Sequence, residues 1–194
     1  MTLTKSQMLA LGTKAPDFRL KDVLNRKTIS LKDFRDKKAL LVMFICNHCP
    51  FVKHVEKEIA KIGLDYKDKN VGIVAISSND AENYPEDSPE NLKRQAYRLG
   101  FVFPYLYDET QEVAKLYTAA CTPDFFLFNE ERKLVYRGQL DDSRPGNILV
   151  RVTGRDLRSA IDAVLQNKDV SPNQKPSLGC NIKWKKGNEP SYFE

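Results

Sequence analysis

At 194 residues the chain is long enough for one domain with a substantial core and some extension. Its 31 Lys and Arg residues against 26 Asp and Glu leave a net charge of +5, a mixed surface that excludes the one-sided basic footprint of a nucleic-acid binder. Residues 1–11 lack a basic start followed by an apolar core, and the apolar run before Cys46 is far too short to span a bilayer, so a cytoplasmic chain without a membrane partner is expected. In a reducing compartment, four cysteines argue for catalytic or metal roles over structural disulfides.

Residues 1–13 form a leader without a clear pattern. Residues 16–20 and 28–31 alternate apolar and polar side chains around residues 22–27, which predicts a β-hairpin. Residues 31–34 read as a short helical turn. The run 39–45 is continuously apolar, a buried strand, and ends at Cys46-Asn47-His48-Cys49. Phe51, Val52, Val55 and Ile59 then share one helical face.

A buried strand therefore runs into two cysteines at C-x-x-C spacing, which open a helix. That arrangement reads as a dithiol redox site. A helix N-terminus offers unpaired N–H groups and a positive dipole end, both of which favour thiolate, the attacking species. Cys46, at the outer end, is expected to be the nucleophile, and Cys49, in the first turn, the resolving thiol. His48 lies between them and can add a positive charge or a hydrogen bond to Cys46. Pro50 disfavours helical geometry at Cys49.

Residues 71–77 form a second buried strand, which completes a parallel βαβ unit. Residues 78–88 are polar, acidic and carry Pro85: a loop long enough to be functional. Ser88 and Pro89 open a helix with Leu92, Ala96 and Leu99 inward, ending at Gly100. Residues 103–107 predict a strand, and 110–120 a helix using Val113, Leu116 and Tyr117. Residues 123–128 and 134–140 predict an antiparallel pair, and 153–166 a C-terminal helix. Residues 170–194 are Pro- and Lys-rich without periodicity. The expected division is residues 1–169 as the domain and 170–194 as an extension.

The sequence resembles the thioredoxin-like superfamily, in its AhpC/TSA-type branch, over roughly residues 12–166. The resemblance rests on Gly12-Thr13-Lys14-Ala15-Pro16-Asp17-Phe18, on the strand with CNHC, and on Cys121-Thr122-Pro123-Asp124-Phe125. It implies an α/β fold, a central mixed β-sheet flanked by helices with an N-terminal β-hairpin and a C-terminal extension. It implies a thiol-disulfide oxidoreductase in which Pro123 is the cis-proline facing the dithiol. Thr122 would then offer its backbone to a bound substrate chain. Expected partners are a disulfide-containing protein or small thiol, and a redox-regenerating partner; no cofactor or metal is expected.

Two departures matter. Thioredoxins carry a buried carboxylate six residues before the first cysteine; Leu40 stands there, and Glu56 is a poor substitute. Peroxiredoxins carry a threonine three residues before the peroxidatic cysteine and an arginine at the late strand. Here those positions hold Cys46 and Thr122-Pro123. A thiol peroxidase of the AhpC/TSA type, oxidised at Cys49 or Cys46, is the second reading. A metal- or cofactor-holding protein using Cys46, Cys49 and Cys121 is the third. His54 is expected at the surface, and Lys183, Lys185 and Lys186 on a solvated face. Cys121 reads as a buried thiol, and Cys180 as a thiol anchoring the extension beside Trp184, away from the dithiol.

Overall fold

The computed structural model describes residues 3–193; Met1, Thr2 and Glu194, at the ends of the expected leader and extension, lie outside the described residues. The strands, in chain order, are β1 (Leu3–Lys5), β2 (Arg19–Asp22), β3 (Thr28–Ser30), β4 (Ala39–Phe44), β5 (Val71–Ser77), β6 (Tyr105–Tyr107), β7 (Cys121–Thr122), β8 (Asp124–Phe128), β9 (Leu134–Gly138) and β10 (Leu178–Asn181). The helices are α1 (Pro50–Tyr66), α2 (Pro89–Leu99), α3 (Glu112–Leu116) and α4 (Arg155–Leu165).

A seven-stranded mixed sheet runs β3-β2-β6-β5-β4-β8-β9. Within it β4 is an interior strand, parallel to β5 and antiparallel to β8. Every residue of β4 is buried, which explains its unbroken apolar run. Because side chains alternate across a strand, Leu41 and Met43 face one core, with α1, α2 and α4, while Leu40, Val42 and Phe44 face the other, with Phe18, Phe34 and Tyr117. Burial of a side chain such as Leu41 contributes roughly 1.5–3 kcal/mol. This rigid centre fixes the place where β4 ends and the cysteines begin.

Helix α1 starts at Pro50 with Cys49 as its extended N-cap. Proline at the first helical position loses only an N–H that would have no partner, and it holds Cys49 in the extended geometry an N-cap requires. Ser88 occupies the N-cap of α2, and Gly100 ends it in the left-handed conformation. The N-terminal hairpin pairs Arg19 with Ser30, and a 3-10 turn follows at Leu31–Phe34.

Three expectations are corrected. The helix expected over 110–120 is only α3, because Gln111 and Thr118 both adopt positive φ and bound it; Leu116 is exposed. The leader and the extension, read as lacking regular structure, each supply a strand. A small sheet of order β1-β10-β7 sets Cys180 between Leu3 and Thr122. Lys183, expected in solvent, is buried; its N–H donates to Asn79 Oδ1 and its Nζ to Asn181 Oδ1.

Candidate active site

The site forms where β4 gives way to α1. Cys46 and Cys49 are both fully buried, so the expected difference in exposure between them is absent. Above them, the Thr122–Pro123 peptide bond is cis. Thr122 meets both sulfurs: its Oγ1 lies 3.3 Å from Cys46 Sγ and its carbonyl oxygen 3.3 Å from Cys49 Sγ. The main chain of Thr122 is not free for a substrate peptide, since β10 pairs with it in the register Cys180 to Thr122 and Asn181 to Cys121.

That pairing overturns the expected position of Cys180. Its sulfur lies 2.9 Å from Cys49 Sγ, in the core shared with α1, whereas Trp184 packs on the other face of the sheet. The reason is the small sheet: β10 is its central strand, held by β1 on one edge and β7 on the other. Gly179 permits the close approach, because a Cβ there would stand 2.0 Å from the Thr122 carbonyl oxygen. Gln111 fastens the chain beyond, accepting from the Lys185 N–H and donating to the Lys183 carbonyl.

Among Cys46, Cys49 and Cys180, the surroundings favour ionisation at Cys49. Hydrogen bonds from the Cys180 and Cys46 thiols, then from backbone N–H groups of Val52 and Cys180, push its pKa well down against the opposing effect of burial. The two flanking thiols hold their protons. Burial pushes Cys46 well up, with the Cys49 contact and the Asp87 charge adding to it, while the hydrogen bond to Cys49 leads the rise at Cys180. The shift at Cys46 thus runs opposite in direction to the stabilised thiolate expected there. Cys121 is fully buried and burial raises its pKa; its thiol faces the Pro123 carbonyl.

His48 is oriented by a residue that sequence reasoning missed. Asp87, fully buried at the end of a 3-10 turn (Pro85–Asp87) within the 78–88 loop, lies 2.5 Å from His48 Nδ1 through Oδ2. Asn79 donates to the same oxygen at 2.7 Å. The Asn47 and His48 N–H groups donate to Asp87 Oδ1 at 2.7 and 3.1 Å. The Asp87 hydrogen bond raises the His48 pKa, partly offset by burial. Tyr84 stacks on the imidazole with ring centroids 5.5 Å apart. Loop length hinted at a functional segment, but nothing singled Asp87 out among its acidic neighbours.

Further from the sulfurs, Gln95 donates to the Cys46 carbonyl and to Glu56, and Glu56 is paired with Arg98. Glu56 therefore sits in a structural network rather than at the thiols. His54 is half-buried on α1, not at the surface, and its Nε2 has no hydrogen-bond partner among the described residues. Among the described residues, the group with metal-ligating atoms in mutual reach is Cys46, His48 and Asp87, not the expected Cys46, Cys49 and Cys121. Since His48 Nδ1 and Asp87 already satisfy each other, this group fits an internal hydrogen-bond chain better than a metal.

A mixed sheet of this order, with a cysteine pair at the strand-to-helix junction beneath a cis-proline, defines a thioredoxin-like protein. A model described as the AhpC/TSA family matches residues 11–137, and the chain belongs to that family. Over 137 residues it is 30% identical to the thiol-disulfide oxidoreductase ResA of Bacillus thuringiensis subsp. konkukian, covering 68% of this chain and 71% of that protein. Two solved structures are much more similar. An uncharacterized conserved protein from Geobacillus kaustophilus is 57% identical with a TM-score of 0.93, covering 95% of this chain and 97% of that one. A hypothetical protein from Sinorhizobium meliloti 1021 is 52% identical with the same TM-score, covering 95% of this chain and all of that one.

Proposed function

We propose that the protein is a thiol-disulfide oxidoreductase working through the Cys46–Cys49 couple. The observation that carries this reading is the placement of both sulfurs against Thr122, at the end of β4 and beneath Pro123. The relationship to ResA supports the reaction class. Cys46 passes its proton to the neighbouring Cys49 thiolate and attacks a substrate disulfide, expelling one substrate thiolate that takes up the proton and leaving a mixed disulfide. Cys49 attacks Cys46 Sγ and expels the second substrate thiolate; the substrate gains two electrons and the Cys46–Cys49 disulfide forms. A low pKa at Cys49 suits the resolving step, which needs a thiolate at the moment of attack. A dithiol reductant then regenerates the pair, and the cycle runs in reverse with an oxidant. Its place of action is the cytoplasm, which fractionation checks.

Insulin reduction by the purified full chain tests the reaction. Cys46→Ser abolishes turnover, and Cys49→Ser accumulates mixed disulfides through Cys46. If Cys49→Ser traps nothing while Cys46→Ser does, the order of attack is the opposite one.

A second reading has one observation in its favour. Cys49-Pro50 places a low-pKa sulfur at the start of α1, as a thiol peroxidase would. Stopped-flow oxidation of the reduced chain by hydrogen peroxide decides it; a rate no faster than that of a free thiol eliminates peroxidase chemistry.

A further inference from the structure

We propose that Cys180 is a third redox-active thiol, which exchanges with the Cys46–Cys49 disulfide to form a Cys49–Cys180 disulfide. The inference rests on the oxidoreductase reading and adds a reacting residue to it.

Cys49 is the middle sulfur of the cluster, with Cys46 on one side and Cys180 in contact at 2.9 Å on the other. In the reduced protein Cys49 Sγ is already in contact with Cys180 Sγ; after oxidation, the same middle sulfur can be bonded to either neighbour. Disulfide exchange needs an attacking sulfur already placed against the bonded one, and Cys180 meets that requirement without movement of its strand. The strand is also well held. β10 is paired on both edges, so Cys180 is presented by rigid backbone rather than by a wandering tail.

The exchange balances without added electrons. Starting from Cys46–S–S–Cys49 and a Cys180 thiol, Cys180 loses its proton and its sulfur attacks Cys49 Sγ. The Cys46–Cys49 bond breaks, the Cys49–Cys180 bond forms, and Cys46 leaves as a thiolate that takes up the proton. Oxidising equivalents come from the substrate disulfide. The hydrogen bond to the Cys49 thiolate, which keeps Cys180 protonated in the reduced protein, no longer exists once Cys49 is in a disulfide. Lys183 contributes positive charge that further favours ionisation of Cys180.

The consequence for the site is specific. In the exchanged state Cys46 is again a free thiol, while β10 is tied covalently over the start of α1. The two-electron oxidising equivalent is thereby moved from the Cys46–Cys49 pair to the Cys49–Cys180 pair.

The test is disulfide mapping of the full chain after one equivalent of diamide, an azo oxidant, with alkylation at low pH and non-reducing digestion. Wild type is expected to yield both Cys46–Cys49 and Cys49–Cys180 peptides. Cys46→Ser, with Cys46→Ala as a second variant, is expected to yield Cys49–Cys180 alone. A wild type holding only Cys46–Cys49, or Cys46 variants in which Cys49 stays reduced or pairs elsewhere, overturns the proposal. Insulin reduction by Cys180→Ser separates this from the parent reading. A wild type that reduces insulin but forms no Cys49–Cys180 link sinks only the role of Cys180. Absence of any Cys46–Cys49 disulfide in Cys180→Ser sinks both.

Discussion

Asp87 Oδ2 stands 2.5 Å from His48 Nδ1, and the same carboxylate closes the turn that carries the dithiol by accepting the Asn47 and His48 N–H groups. One fully buried side chain thus sets both the backbone between the cysteines and the charge of the residue between them. Since Asn79 donates to Oδ2 as well, the proton between the two rests on His48 Nδ1.

Replacing Asp87 tests that double role. Asp87→Asn removes the anion and presents an amide to two donors, His48 Nδ1 and Asn79 Nδ2. The His48 pKa falls toward its ordinary value, read from its imidazole proton signals. Stability drops by about 1–3 kcal/mol, the range for an unsatisfied buried polar group. The sign with pH follows from the raised pKa: the contribution is complete below the ordinary histidine value and is lost as pH rises through the folded one. An unchanged His48 titration would show that Asp87 serves the backbone alone.

The thiolate predicted for the reduced protein is Cys49. Ultraviolet thiolate absorbance of the reduced chain is expected to persist well below pH 7 and to vanish in Cys49→Ser. Cys180→Ala removes the first donor to that sulfur and raises the titration midpoint. Because the folded pKa is lowered, this group stabilises the fold fully above the unfolded thiol value. That stabilisation is lost as pH falls through the folded value. A low-pH thiolate that survives in Cys49→Ser and disappears in Cys46→Ser reverses the assignment.

Gly179→Ala drives a Cβ against the Thr122 carbonyl oxygen, a backbone atom that cannot swing aside. The cost of such overpacking, about 1–3 kcal/mol, falls on the β10–β7 pairing. Cysteine labelling by an aromatic disulfide reagent should accelerate roughly tenfold or more as the strand opens. Amide exchange should locate the loss of protection at residues 178–181. Unchanged labelling would mean that β10 does not cover the sulfurs.

Glu56→Gln separates the Glu56 network from the thiols. Its partner Arg98 is more than half exposed, so the ion pair contributes no more than about 1 kcal/mol. The Cys49 thiolate signal and insulin turnover are expected to stay as in wild type, whereas a shifted thiolate midpoint would give Glu56 a part in proton movement.

Much of this was legible in the residues. The apolar run of β4, Pro50 after Cys49, and the Thr122-Pro123 pair each carry a local signature, and the sheet follows from them. What the sequence hid depends on pairing between distant segments. Leu178-Gly179-Cys180 carries no strand signal by itself, because both of its pairing partners, Leu3–Lys5 and Cys121–Thr122, lie far away in the chain. Asp87 was hidden for a similar reason: its donors Asn47, His48 and Asn79 come from two different loops. The contact of Cys180 with Cys49 was hidden too, because helix position and His48 were weighed without the third sulfur.

The small sheet also orders events during synthesis. Residues 46, 49 and 122 leave the ribosome well before residues 178–181, yet β10 supplies the middle strand that joins β1 to β7. The roof over the dithiol therefore waits for residues 178–181 to pair with residues 3–5, a slow class of contact far apart in sequence. During that interval Cys46 and Cys49 meet the cell without Cys180, as a plain two-cysteine thioredoxin would. Maleimide labelling of arrested chains would show the passage as a loss of thiol reactivity once residue 181 has emerged.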